Sequence, residues 1–128
     1  MPANSVLLAL ALAASGDVQT DPRQCGTLLP GWLNQAQMVS LQAVTNKLDV
    51  LSDGTLRWNG SPVSADEVGE YVAIVPHMNP QPLTVLAIAT GAPCDGVRLV
   101  RQLIDSGAKC SSGSVCGEGT GPPPHVRP

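Results

Sequence analysis

K-L-D-V-L-S-D-G-T-L-R-W-N-G-S-P-V-S-A-D-E-V, residues 47–68, is the stretch on which the fold turns. Leu48 and Val50 alternate with polar neighbours, Ser52-Asp53-Gly54 supplies a residue tolerant of positive φ, and Leu56 and Trp58 resume the alternation. That pattern predicts a short antiparallel hairpin with one apolar face. Asn59-Gly60 then stops it. Ser64 and Glu67 stand at capping-box spacing, with Val63 and Val68 placed as a hydrophobic staple, so a helix is expected from Ala65. Val68, Tyr71, Val72 and Val75 recur at helical spacing and give that helix one buried face, until Pro76 removes a backbone donor and ends it after about three turns.

From Leu83 to Ala89 nearly every residue is apolar. A run this short, bounded by Pro82 and Gly91, reads as an interior strand covered on both faces. After Ala92-Pro93 a second helix is expected, with Val97, Val100, Leu103 and Ile104 inward, Arg98, Arg101 and Asp105 outward, and Gly107 suited to a left-handed cap. A last strand from Lys109 to Val115 would return beside the Leu83 strand by a right-handed crossover. The expected fold is α+β, a small sheet backed by two helices in the order ββαβαβ.

In this order and spacing, the Asp53-Gly54 turn, the Asn59-Gly60-x-x-Val63 link and the helix closing at Ser106-Gly107 resemble the periplasmic domain of the ExbD/TolR family over roughly half the chain. The resemblance implies a non-enzymatic module: an accessory of proton-motive-force-driven biopolymer transport or envelope-integrity systems. Such a module pairs with itself and touches peptidoglycan or an envelope motor or receptor protein. Family members carry an N-terminal transmembrane helix whose aspartate serves the proton path. Here the apolar run is too short and Asp17 lies outside it, so the expected role is that of the periplasmic part alone. A start upstream would restore an anchor in the inner membrane.

A chain of 128 residues has room for one folded domain. Only 13% of it is charged, while its 13 glycines and 12 prolines allot much of the length to turns and tails. The net charge of −3 provides no basic patch to displace counterions from phosphates, which argues against nucleic acid. Val6 to Ala14 is unbroken and apolar, shorter than the roughly 20 residues of a membrane span, and fits the h-region of a secretory signal. Residues 1–13 are therefore expected as a signal peptide, 14–44 as a linker, 45–117 as the ExbD/TolR-like domain and 118–128 as a Pro-rich tail. The expected location is the periplasm.

Four cysteines in a small exported chain point to disulfides rather than metal, and Cys25, Cys94, Cys110 and Cys116 form no CxxC pair. If the segment after Gly107 is extended, Cys110 and Cys116 stand about 20 Å apart, beyond the reach of one bridge. The second helix runs back about 18 Å, which brings Cys116 level with Cys94. Cys94–Cys116 is then the preferred bridge, with Cys25 clasping Cys110. A Cys110–Cys116 bridge remains open if Gly113 folds the segment back.

Little else in the chain organises chemistry. His77 reads as an exposed loop residue beside prolines, and His125 falls in the G-P-P-P-H-V-R-P tail, leaving no base paired to a nucleophile. Asp66 and Glu67 suit the first turn of a helix, while Asp49 and Asp53 suit the hairpin's outer face and turn. No cofactor, metal or small-molecule substrate is expected. Trp58 belongs either to the core, where Leu56 shares its face, or to an exposed surface that meets a partner, and the core is the preferred place. Trp32, in L-L-P-G-W-L, either packs back as a satellite cluster or meets a partner. For partner contact the sequence offers an edge strand, either the hairpin's outer strand or the Lys109 segment. The alternative class is a small secreted hydrolase or thiol redox protein using Cys94 at a helix start, where a thiolate is stabilised.

Overall fold

The computed structural model of the chain describes residues 25–122. The expected signal peptide, Asp17 and His125 lie outside the described residues. Within them, helix α1 (Gln35–Val39) precedes strands β1 (Thr45–Val50), β2 (Leu56–Trp58) and β3 (Ser61–Val63). Helix α2 (Ala65–Ile74), strand β4 (Leu83–Ile88), helix α3 (Cys94–Gly107) and strand β5 (Cys116–Glu118) follow. The five strands form one mixed sheet in the order β3-β2-β1-β4-β5, antiparallel through the two hairpins and parallel from β1 across β4 to β5.

The first turn forms as its residues require. Gly54 takes φ +87°, and Asp53 accepts from both the Thr55 amide at 3.0 Å and the Thr55 hydroxyl at 2.7 Å. The Thr55 hydroxyl, then its amide, hold the exposed Asp53 carboxyl below the usual carboxylate range. Asn59-Gly60 does not stop the hairpin. With φ values of +51° and +89° it makes a second two-residue turn that adds β3, and the order of elements from β1 onward is βββαβαβ rather than ββαβαβ. The Asn59 side chain ties that turn to β1, accepting from the Lys47 amide at 2.8 Å and donating to Asn46 Oδ1 at 3.0 Å.

Ser64 caps α2 with the full capping box: its hydroxyl accepts from the Glu67 amide, and the Glu67 carboxylate accepts from the Ser64 amide. Val68 and Val72 face the sheet; Val75, just past the α-helix in a short 3-10 turn with Pro76 and His77, is buried with them. Leu48, Val50 and Leu86 meet these residues and Val97, Val100 and Ile104 of α3 in one core. Burying each such side chain contributes about 2 kcal/mol. On the opposite face Leu83 and Val85 are covered by Met38 of α1, with Leu33, Leu41 and Ala43 around it. The packed structure thus reaches back through the segment read as a linker to Cys25, and forward to the buried Gly121.

The C-terminal third departs from expectation in three ways. Arg101 is not outward: it is 5% exposed, four residues from Val97 and three from Ile104 and hence on the buried stripe. Its guanidinium donates to both oxygens of Glu118 at 2.8 and 2.7 Å and to the Cys25 carbonyl at 2.7 Å. Gly107 ends α3 without a left-handed φ; Lys109 takes that conformation instead, at φ +59°. Glycine is needed at 107 because a Cβ there would collide with Val72 Cγ2. Lys109–Val115 is not a strand. A 3-10 turn at Cys110–Ser112, followed by Gly113 (φ +92°) and Ser114 (φ +64°), folds the chain back before the short β5.

That fold-back decides the disulfides. Cys110 and Cys116 have Cα atoms 5.4 Å apart and are bridged, while Cys94 is joined to Cys25. The preferred Cys94–Cys116 and Cys25–Cys110 pairings are therefore replaced, because they rested on an extended final segment.

Candidate functional site

The two helices on the sheet meet along a line of contacts that runs in one sense. Gly107 lies on Val72, and Gly69 stands beside Leu103, so α2 and α3 lie side by side and parallel. At the Gly107 end the approach is tight. Alongside this contact runs an open groove of about 630 Å³, lined by Ala65, Gly69 and Ala73 of α2 and by Leu99 and Leu103 of α3, together with the exposed Asp66 and Glu70. Leu99 is half exposed.

A second concavity of about 390 Å³ lies on the other face of the sheet, where α1 does not reach. Lys47 and Asp49 of β1, Ala87 of β4 and Gly119-Thr120 after β5 contribute to it. Arg57 sits opposite Asp49 in the β1–β2 register.

Neither sheet edge presents a free row of backbone donors among the described residues. In a two-residue hairpin the residues flanking the turn form the hydrogen-bonded pair, here Trp58 with Ser61, so the next residue, Pro62, turns its nitrogen outward. Proline has no N–H to offer, and β3 presents no donor at that position. Beyond β5, Leu33 pairs in parallel with Gly117, its amide donating to the Cys116 carbonyl at 2.8 Å and its carbonyl accepting from the Glu118 amide at 3.0 Å. Gln35 continues this closure: its Oε1 accepts from the Thr120 and Gly121 amides and its Nε2 donates to the Gly121 carbonyl. The Lys109 segment, the other edge expected from sequence, is the disulfide-clasped turn.

Trp32 packs back into the main core at 6% exposure, its indole N–H donating to Asp105 at 2.9 Å. Asp105, expected outward, is half-buried under that bond. Trp58 is half-buried against the core and stacks at a tilt on Tyr71, ring centroids 5.6 Å apart. His77 is exposed at the end of α2. Cys94 opens α3 but is joined to Cys25, so a thiolate nucleophile there requires that bridge to be reduced first. Among the described residues no three His, Cys, Asp or Glu side chains gather as metal ligands, and no helix is long and apolar enough to cross a membrane.

The sequence reading missed Met38, Arg101 and the groove. Asn34 and Gln37 do stand at capping-box spacing, and the structure shows that box complete at the start of α1. Arg101 was legible from its place on the Val97–Ile104 stripe. Searches against protein-family models, curated proteins and solved structures found no match to this chain.

Proposed function

We propose that this chain is an exported, non-enzymatic partner-binding domain that works in the manner of the periplasmic part of ExbD/TolR proteins, as an accessory of biopolymer transport or envelope integrity. The observation that carries the reading is the succession of hairpin, capped helix, interior parallel strand and second helix on one sheet, with both helices on the same face. Strand β3, which the expected order lacks, stands between that hairpin and the capped helix. The two disulfides are compatible with an oxidising compartment. With Pro62 removing the outward donor of β3 and Leu33 covering β5, contact with a second copy, peptidoglycan or an envelope protein falls to side-chain surfaces rather than to strand addition.

Sedimentation of the purified, oxidised chain and co-pelleting with peptidoglycan test this. A dimer at high concentration, or retention on peptidoglycan, is the expected result. A chain that stays monomeric at millimolar concentration and ignores peptidoglycan sinks the proposal, as does hydrolytic or thiol-exchange turnover lost on Cys94→Ser.

A further inference from the structure

The groove between α2 and α3 contains an anomaly that the isolated domain does not explain. Gly69 lies mid-helix, where glycine is unfavourable relative to alanine. A Cβ there would meet only Leu103 Cδ2, at an ordinary 3.8 Å, and the residue needs no positive φ. Gly96, three residues before Leu99 and seven before Leu103 on the same side of α3, likewise has nothing within 4 Å of a built Cβ. Gly107, by contrast, is demanded by Val72. Gly69, which lines the groove, therefore keeps the backbone of α2 bare toward it, while Gly107 serves the fold.

We propose that this groove docks an amphipathic, basic α-helix of a partner protein, a proposal that rests on reading the chain as a partner-binding domain. The groove's length fits: Ala65 to Ala73 covers about 12 Å, or two turns. Alanine and glycine along it let a second backbone come close, and Leu99 and Leu103 give its apolar stripe something to bury. A helix suits better than an extended segment. The walls are helices whose mid-segment amides and carbonyls are already bonded within themselves, so a strand laid there would leave its own backbone groups unpaired, whereas a helix satisfies its own.

Charge selects the partner. The exposed charged side chains of the two helices are Asp66, Glu67, Glu70 and Asp95 against Arg98, and Arg98 is already engaged with Asp95 at 3.1 Å. A second copy would bring the same carboxylates to the same rim. A helix flanked by Lys or Arg would complement them, with an attraction weakened by salt because the rim is exposed.

The test is a titration of the isotope-labelled chain with a Leu/Lys peptide of about four turns, patterned at helical period, alongside the same peptide with Glu for every Lys. Expected are amide shifts confined to residues 65–73 and 96–103 for the Lys peptide and none for the Glu peptide. Affinity should fall at least about tenfold, or 1.4 kcal/mol, for Gly69→Leu, which fills the groove, and for Asp66→Lys with Glu70→Lys, which reverses its rim. Leu99→Lys, at a half-exposed position, gives a variant that keeps the fold should Gly69→Leu fail to. Equal binding of the Glu peptide, shifts centred on Lys47 and Ala87, or variants that bind as the parent does would each overturn the proposal. Dimers that Gly69→Leu splits would overturn it in favour of a second copy. A chain that holds peptidoglycan or self-associates through another face, yet ignores the Lys peptide, would retain the functional reading and lose this one.

Discussion

At the β3 edge of the sheet the constraints are local: two turns with their positive-φ residues, a capping box four residues long, and a proline facing out. At the β5 edge the constraints reach across the chain. Cys25 is bonded to Cys94, Arg101 to Glu118 and the Cys25 carbonyl, Trp32 to Asp105, Leu33 to Cys116 and Glu118, and Gln35 to Gly121. Three-residue β5 has little ladder of its own and is held by what surrounds it. The difference teaches that one sheet can be assembled by two codes, one written in neighbouring residues and one in residues far apart.

The largest test of that contrast removes the bridges. In the chain-entropy view, closing 69 residues should be worth about 4 kcal/mol and closing 6 about 2 kcal/mol. Urea unfolding of Cys25→Ala with Cys94→Ala should therefore show about twice the loss of Cys110→Ala with Cys116→Ala. The reverse order would mean that the clasped turn, not the long clasp, organises this edge.

Arg101→Ala comes next, at about 3 kcal/mol, because it strands a largely buried carboxylate and leaves the Cys25 carbonyl without its donor. Arg98→Ala breaks an exposed pair on the same helix and should cost less than about 0.5 kcal/mol. Similar losses from the two would show that the β5 edge does not depend on the buried pair. On the local side, Ser64→Ala should lose about 1 kcal/mol as a helix-start amide loses its acceptor. Ser61→Ala, exposed and outside the helix, should stay within about 0.5 kcal/mol. Equal effects there would undo the assignment of that edge to local signals.

The same contrast explains what the sequence disclosed. The hairpin, the start of α2, the interior strand β4 and the span of α3 each follow from patterns within a dozen residues, and they appear where those patterns put them. The second hairpin turn was hidden because Asn59-Gly60 stops a strand and reverses one with the same residues. The disulfides were misassigned because their geometry depended on the conformation of Lys109–Val115, a Ser- and Gly-rich segment without hydrophobic period. Gly107 resembled a cap locally, and only the packing of α3 on α2 reveals its purpose. The groove follows from the relative placement of two helices, which neither helix encodes alone. Arg101 is the exception: its stripe was visible, and its charge masked it.

The connectivity of the bridges also sets the path of mechanical tension through the molecule. A pull applied upstream of Cys25 enters α3 directly through Cys94, so the three-stranded meander, α2 and β4 between those cysteines are covalently bypassed. The Cys110–Cys116 bridge likewise shields the turn it encloses. Between the two bridges the only stretch of chain that can lengthen is the one containing α3, and its full extension spans roughly 55 Å. Under load this helix acts as the domain's extensible link, and the Arg101–Glu118 pair, which fastens it to the final strand, is the catch that must let go.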